Sequence, residues 1–362
     1  MKDEKKFLYE RVYESLKNDI LAGTIKYNDF LLSEKEIGDK FVVDRTTVRK
    51  ALGMLVDDGL VEKQAGVGTR VMMRQYQPEM GKNYKTIGFL LPRSSKKTLR
   101  ITQPFYSKLF YRVEAECQKK GFSLIYTTLN EEDDIFQTIE AHRLSGVIFV
   151  TDVSHKILKQ AVDAKVPSIL VNNYYEGMTS ILSNNNEGGY KAIKHLAELG
   201  HKRIAIIKGL SGYVTSAERL EGCYKAAQEF GITFDPADVY EGNWEFDGGY
   251  DGVQKIFSDR ECCPTALFAF NDMMAIGAIE AISEMGKSVP GDVSVVGFDN
   301  EHAATFKHLI PQLTTIDIHV KIMAAVATDN IVYRLENEGD YCIKIETPVN
   351  LVIGATTKQF GK

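Results

Sequence analysis

The sequence predicts a winged helix-turn-helix over residues 1–73, a linker at 74–84 and a two-lobed α/β region over residues 85–362. Three observations carry this reading. The stretch Val43-Asp44-Arg45-Thr46-Thr47-Val48-Arg49-Lys50, continued by apolar residues to Leu60, has a helical period with two chemically different faces. A hairpin signal, Gly66-Val67-Gly68-Thr69, follows it. From Lys85 onward, apolar strand patterns alternate with helical ones through two cycles, the pattern of a doubly wound parallel sheet.

The first helix is expected over residues 7–22, where Leu8, Val12, Leu16 and Ile20 recur at helical spacing and face a small core. Tyr9 sits beside that stripe, either packed or touching a phosphate. Ser33-Glu34-Lys35-Glu36 is a capping-box start for a second helix to Phe41, with Ser33 as cap and Glu36 three residues on. Asp44 caps a third helix that starts at Arg45, and Gly59 is a suitable stop. Val48, Leu52 and Leu55, with Ala51 beside them, form its inner face. Arg45, Thr46, Arg49 and Lys50 form the outer face. Guanidinium forks fit guanine edges and phosphates, and threonine hydroxyls fit phosphates. A solvated amphipathic helix would show the same pattern. The strand at Leu60–Lys63, the glycine turn and the returning strand at Arg70–Met72 weigh against that alternative, because together they make a wing. Lys35, Arg45, Thr46, Thr47, Arg49, Gly66, Val67 and Gly68 are the candidate DNA contacts.

Composition narrows the function classes. A chain of 362 residues, 44% hydrophobic, holds two or three globular units. No apolar run approaches the ~20 residues a bilayer requires. Met1-Lys2-Asp3-Glu4-Lys5-Lys6 is charged and lacks the pattern of a signal peptide. The five cysteines are an odd number without CxxC spacing, so reduced thiols in a cytoplasm are expected. Residues 1–75 carry 14 Lys/Arg against 13 Asp/Glu, and the remainder 30 against 36. DNA affinity must then come from a few well-placed cations and from dimerisation, while the acidic body discourages non-specific binding. There is no HExxH, no metal-ligand spacing, no Ser/His/Asp signature and no P-loop. Neither an enzyme nor a metal or cofactor is expected.

In the α/β region the strands are read at Thr86–Leu91, Phe122–Tyr126, Gly146–Val150, Pro167–Val171, Ser180–Ser183, Ile204–Ile207, Ala266–Phe270 and Val293–Phe298. Helices are read at Phe105–Lys120, through Leu144, and at Ser154–Ala164, Glu187–Leu199, Ser216–Phe230 and Asp272–Met285. Open α/β sheets bind ligands beyond the carboxyl ends of their strands. The loops after Leu91, Val150, Val171, Ile207, Phe270 and Phe298 are therefore the expected cleft walls.

These residues also carry two resemblances. Tyr9, Ile20-Leu21-Ala22-Gly23, Leu32-Ser33-Glu34-Lys35-Glu36-Ile37, the run from Phe41 to Leu52 and Gly66-Val67-Gly68-Thr69 resemble the GntR family of bacterial transcription regulators. The resemblance implies a third helix that reads the major groove and a wing that reaches the minor groove or backbone. Asn28-Asp29 stands where that family has Gly-Asp, Leu32 where it has proline, and Asp44 where it has serine; Asp44 still caps but adds a negative charge near DNA. The second half is similar to the sensor of LacI/GalR repressors. The motifs are Pro104-Phe105-Tyr106, Gly188-Gly189, Gly200-His201-Lys202-Arg203-Ile204, Arg219-Leu220-Glu221-Gly222, Ala269-Phe270-Asn271-Asp272, the run from Val289 to Asn300 and Leu313-Thr314-Thr315-Ile316. This implies a two-lobed, periplasmic-binding-protein-like (type I) effector domain.

The effector contacts implied are Arg219 and Asp299, with Asn271, Phe105, Tyr106, Trp244, Lys208 and His302 as further candidates; Asp272 is read as the cap of its helix. A GntR-type reader on a LacI-type sensor is the pairing of the arabinose-responsive repressors of bacilli. It implies a homodimer on a palindromic operator, released by a sugar, with L-arabinose first and another sugar, a sugar phosphate or a nucleoside as alternatives. The sensor half alone would also fit a transporter's solute-binding protein, and sequence does not separate activation from repression.

Overall fold

The computed structural model describes residues 7–21, 23–72, 84–93, 99–258, 263–301, 312–337 and 341–361. His302, Cys262 and all of the expected linker except Tyr84 lie outside the described residues. The chain divides into two compact units, one taking in Met1–Lys85, Glu132–Gly146 and His155–Pro167, the other Thr86–Glu131, Val147–Ser154 and Ser168–Lys362.

The first unit contains the winged helix-turn-helix: α1 (Leu8–Leu21), α2 (Glu34–Phe41), α3 (Arg45–Asp57), β1 (Val61–Gln64) and β2 (Gly68–Val71). Both arms of the capping box form: Ser33 Oγ accepts from the Glu36 N–H at 3.3 Å and Glu36 Oε2 from the Ser33 N–H at 2.7 Å. Asp44 caps α3 by accepting from the Thr47 N–H at 2.9 Å. Val12, Leu16, Ile20, Ile37, Val48, Leu52, Leu55 and Val71 make the core. Leu8 does not join it and stays 55% exposed, because it sits in the first turn of α1, before the stripe reaches the core at Val12. α3 ends at Asp57, and Gly59, at φ +70°, turns the chain into the wing. The wing strands pair antiparallel from Val61↔Val71 to Gln64↔Gly68, so the returning strand starts at Gly68 rather than Arg70.

The remaining elements follow in chain order: β3 (Thr86–Pro92), α4 (Pro104–Lys119), β4 (Ser123–Leu129), α5 (Ile135–His142), β5 (Gly146–Val150), α6 (His155–Asp163), β6 (Ser168–Val171), β7 (Thr179–Ser183), α7 (Asn185–Glu198), β8 (Ile204–Lys208), α8 (Val214–Phe230), β9 (Val239–Glu241), α9 (Phe246–Phe257), β10 (Ala266–Ala269), α10 (Asp272–Glu284), β11 (Ser294–Asp299), β12 (Thr314–Asp317), α11 (Val320–Glu336), β13 (Lys344–Thr347) and β14 (Asn350–Val352). Two six-stranded sheets result, ordered β13-β7-β6-β5-β3-β4 and β14-β12-β11-β10-β8-β9. Their interiors are parallel; β14 is an antiparallel edge on β12. The chain returns late to the first sheet, where β13 lies beside β7. The sequence pattern missed α9, whose Gly248-Gly249 pair breaks the helical signal at its start.

Glycines set the spacing that matters for the cleft. A Cβ at Gly189 of α7 would run into the Arg219 carbonyl, and one at Gly222 of α8 into the Asn186 carbonyl. The two helices therefore cross backbone to backbone, which brings Arg219 beside Asn185. Among the described residues no helix is long and apolar enough to cross a membrane.

Candidate functional site

On the reader, Arg45 and Arg49 lie one turn apart on α3 and share a single acid. Glu34, the first residue of α2, accepts from Arg45 Nε at 2.7 Å and from Arg49 Nε at 3.0 and 3.2 Å. The arginine side chains remain 71% and 57% exposed. The Arg45 bond holds the Glu34 carboxyl below its ordinary pKa. Thr46 is exposed, whereas Thr47 is half-buried and gives its hydroxyl to Asp44 at 2.9 Å, completing the cap. Lys35, Arg45, Gly66, Val67 and Gly68 line one groove of about 1160 Å³, with Val67 exposed at the tip of the wing. Tyr9 packs, its ring lying 3.6 Å beneath the Lys50 ammonium.

In the second unit the core of the site is Arg219. Its side chain is 4% exposed. Nε donates to Asn185 Oδ1 at 2.9 Å, Nη1 donates to the Phe270 carbonyl, and Nη2 stands 3.9 Å from Asp299 Oδ1. The guanidinium lies over the Phe298 ring at 3.6 Å and 5.6 Å from the Trp244 ring. Burial lowers the Arg219 pKa to about 10 and raises that of Asp299 well above its ordinary value, each partly countered by the other. Asp299 also holds a strained backbone, φ +107°.

Asn271 caps α10, accepting from the Met274 N–H at 2.9 Å, and its amide donates to the Trp244 carbonyl at 2.8 Å. The cap is thus Asn271 and not Asp272, because the helix begins at Asp272 and the residue before it has the extended backbone a cap needs. Asp272 is buried instead and accepts from Thr315 Oγ1 at 2.6 Å and the Glu301 N–H at 2.8 Å. Trp244, at φ +69°, lies across Gly209, where a Cβ would collide with the indole. Its ring is 6.1 Å from that of Tyr213. Phe105 and Tyr106 open α4 with their rings edge to face, 5.1 Å apart. Lys208 is drawn elsewhere, to Glu241 at 2.7 Å and Ser211 at 2.8 Å.

Sequence reasoning missed Asn185, Arg100, Asp152 and Tyr213. Arg100 Nη2 donates to Asp152 Oδ2 at 3.1 Å, and the Tyr213 hydroxyl donates to the same carboxylate from the other sheet's side. Asp152 follows the β5 end, a wall position by topology, and Asn185 was hidden because α7 starts two residues before Glu187. Among the described residues no cluster of His, Cys, Asp or Glu is arranged to hold a metal.

Residues 8–71 match the gntR family of bacterial regulatory proteins, and residues 193–357 match the periplasmic binding protein-like domain. The HTH-type transcriptional repressor PurR of Haemophilus influenzae (strain PittEE) is 34% identical over 241 residues, 64% of this chain and 68% of that protein. This chain belongs to the GntR/LacI type of transcriptional regulators. The PurR of Pasteurella multocida (strain Pm70) is 33% identical over 284 residues, 76% of this regulator and 81% of the relative. A LacI family regulator from Enterococcus faecium with bound ribose has a TM-score of 0.66 at 24% identity, covering 76% of this chain and 99% of that one. The CelR–cellobiose complex has a TM-score of 0.69 at 20% identity, covering 97% and 100%. These two likenesses are of fold. The winged helix and the two-lobed type I effector fold stand as the sequence expects, and the relatives of this GntR/LacI regulator are regulators rather than enzymes.

Proposed function

We propose that this GntR/LacI-type regulator is a homodimeric repressor, acting in the cytoplasm, that holds a palindromic operator until a neutral monosaccharide fills the sensor cleft. L-arabinose is the leading effector. The observation that carries the reading is the buried Arg219–Asp299 pair, whose guanidinium lies against the Phe298 ring and near the Trp244 ring. Vicinal hydroxyls are met by bidentate charged side chains, and the C–H face of a sugar by an aromatic platform. In this reading Arg219 and Asp299 hold hydroxyls, Trp244, Phe105 and Tyr106 supply aromatic surface, and Asn271 fixes Trp244. Lys208 and His302 are further contacts, Lys208 only after leaving Glu241. The relatives named as repressors support the repressor role, and the ribose and cellobiose complexes of similar fold support a sugar in the cleft; the relatives' name, PurR, favours the second reading below.

On DNA, Arg45 and Arg49 read guanine edges, Thr46 and Lys35 meet the backbone, Thr47 does so only after its hydroxyl leaves Asp44, and Gly66, Val67 and Gly68 carry the wing. Sugar shifts the lobes and misaligns the two readers, with a coupling of about 1–3 kcal/mol, or about 5–150-fold in operator affinity. A planar nucleoside or base is the second reading, favoured by the same aromatic cluster. A transporter's solute-binding protein is opposed by the winged helix-turn-helix.

The test is fluorescence of Trp244, the sole tryptophan, during titration with pentoses, hexoses, sugar phosphates and nucleosides, followed by release from operator DNA. Saturation by L-arabinose with release of DNA is expected. A response confined to nucleosides replaces the effector, and silence across the panel removes it. Asp299→Ala should bind operator normally and ignore the sugar; release of that variant by sugar would show that Asp299 is not the contact.

A further inference from the structure

Burial in the second unit is almost fully compensated by hydrogen bonds. Among its described residues, the buried side-chain N and O atoms without a hydrogen-bond partner belong to two residues, Trp244 and Glu301. Leaving such groups unmet costs free energy, so each invites a partner that the protein itself does not supply. Trp244 is already part of the proposed site. Glu301 is not, although it stands two residues beyond Asp299.

Glu301 is anchored through its backbone. Its backbone N–H is held by Asp272 Oδ2 at 2.8 Å, at the start of α10. That places it in the wall formed by the loops after β10 and β11, where open α/β sheets bind ligands. Its side chain is 3% exposed. Lys108 of α4 pairs with Glu301 at 3.3 Å and also donates to the Asn300 carbonyl at 3.4 Å, so one shared ammonium does not fill the acceptor capacity of the carboxyl. Both Glu301 carboxylate oxygens are left able to accept. Burial raises the carboxyls of Asp272, Asp299 and Glu301, so each holds a proton more readily than an exposed acid, beside the cations Arg219 and Lys108.

We propose that Glu301 is an effector contact whose carboxyl accepts a hydrogen bond from one ligand hydroxyl, and that it thereby selects a monosaccharide bearing a hydroxyl at that position. Trp244 complements it, with an indole N–H that meets an oxygen acceptor on the same ligand. The inference rests on the sugar reading above and adds a residue that reads one of the sugar's hydroxyls.

The experiment uses the full chain, with operator binding in the absence of sugar as the check on folding. L-arabinose and its monodeoxy analogues are titrated against wild type, Glu301→Gln and Lys108→Met by calorimetry. Glu301→Gln should bind the sugar about 10- to 100-fold more weakly, the range of a hydrogen bond to a charged group. One deoxy analogue should lose the same factor on wild type and little more on Glu301→Gln. If Glu301→Gln binds sugar as wild type does, or weakens the sugar and every deoxy analogue equally, as a closure defect shared with Lys108→Met would, the contact is overturned. If wild type itself binds no sugar, the effector reading fails first and the inference falls with it.

Discussion

Two arginine–carboxylate arrangements sit at opposite functional ends of this regulator, and their surroundings differ in one respect. Arg45 and Arg49 lie in solvent, 71% and 57% exposed, and the Glu34 they share is half-buried. Arg219 and Asp299 are 4% and 14% exposed. An exposed pair contributes about 0–1 kcal/mol, so its arginines are released to another anion at little cost. A buried pair cannot be released, because the charge left behind has no water to turn to. In the proposed function, the reader keeps mobile cations that DNA can take over, and the sensor keeps a fixed frame that a ligand completes.

The largest effect should come from removing one half of the buried pair. Arg219→Ala leaves Asp299 buried and uncompensated and takes away the partner of Asn185 and of the Phe270 carbonyl. We expect a loss of about 3–5 kcal/mol in denaturant unfolding of the sensor, together with loss of the sugar response. A change below about 1 kcal/mol would mean that the buried pair behaves like a surface one.

Next in size is the exposed pair, where function and stability should separate. Arg45→Ala and Arg49→Ala should each weaken operator binding by about 1–3 kcal/mol. Their unfolding should change by less than about 1 kcal/mol. Gel-shift affinity unchanged in both variants would remove α3 as the reading helix.

How much of this contrast was legible in the sequence follows from how far apart its parts lie in the chain. The reader's elements are local: Ser33 with Glu36, and Asp44 with Thr47, are three residues apart, and the capping signals translate directly into α2 and α3. Arg219 and Asp299 were legible through motif and through their place at element ends. What motif did not give was their company. Asn185 meets Arg219 because Gly189 and Gly222 let α7 and α8 cross closely, and Tyr213 meets Asp152 across two sheets. Neither meeting leaves a periodic signal. Glu34 was read as part of a capping box; that it also accepts from two arginines 11 and 15 residues on depends on how α2 packs beside α3.

The pH dependence should distinguish buried from exposed acids as well. Burial raises Asp272 to about 7, against hydrogen bonds from Thr315 and the Glu301 N–H that work the other way. The native state then holds this proton more tightly than the unfolded chain, whose Asp titrates near ~3.9. The contribution is present at acid pH and is lost as pH rises toward 7. Compared with Asp272→Asn, wild type should lose on the order of 2 kcal/mol of unfolding free energy between pH 5 and pH 8. A difference that stays flat between those pH values would show that Asp272 is ionised throughout.

Glu34→Gln should give the smallest change in stability and the most informative one in binding. The substitution keeps the size of the side chain and removes the charge that both arginines share. If the carboxylate only neutralises them, the variant should bind any DNA more tightly, and the slope of log affinity against log salt should steepen by about one. If it also aims the guanidinium groups, the operator should gain less than random DNA, because a freed arginine meets phosphates as readily as guanines. We expect this second pattern, since Glu34 fixes the Nε of both side chains at once and leaves their outer nitrogens forward. Equal gains on operator and random DNA would reduce Glu34 to a neutralising charge. A loss on the operator alone would mean that its carboxylate itself touches a base, and the exposed pair would then be a three-residue reading surface.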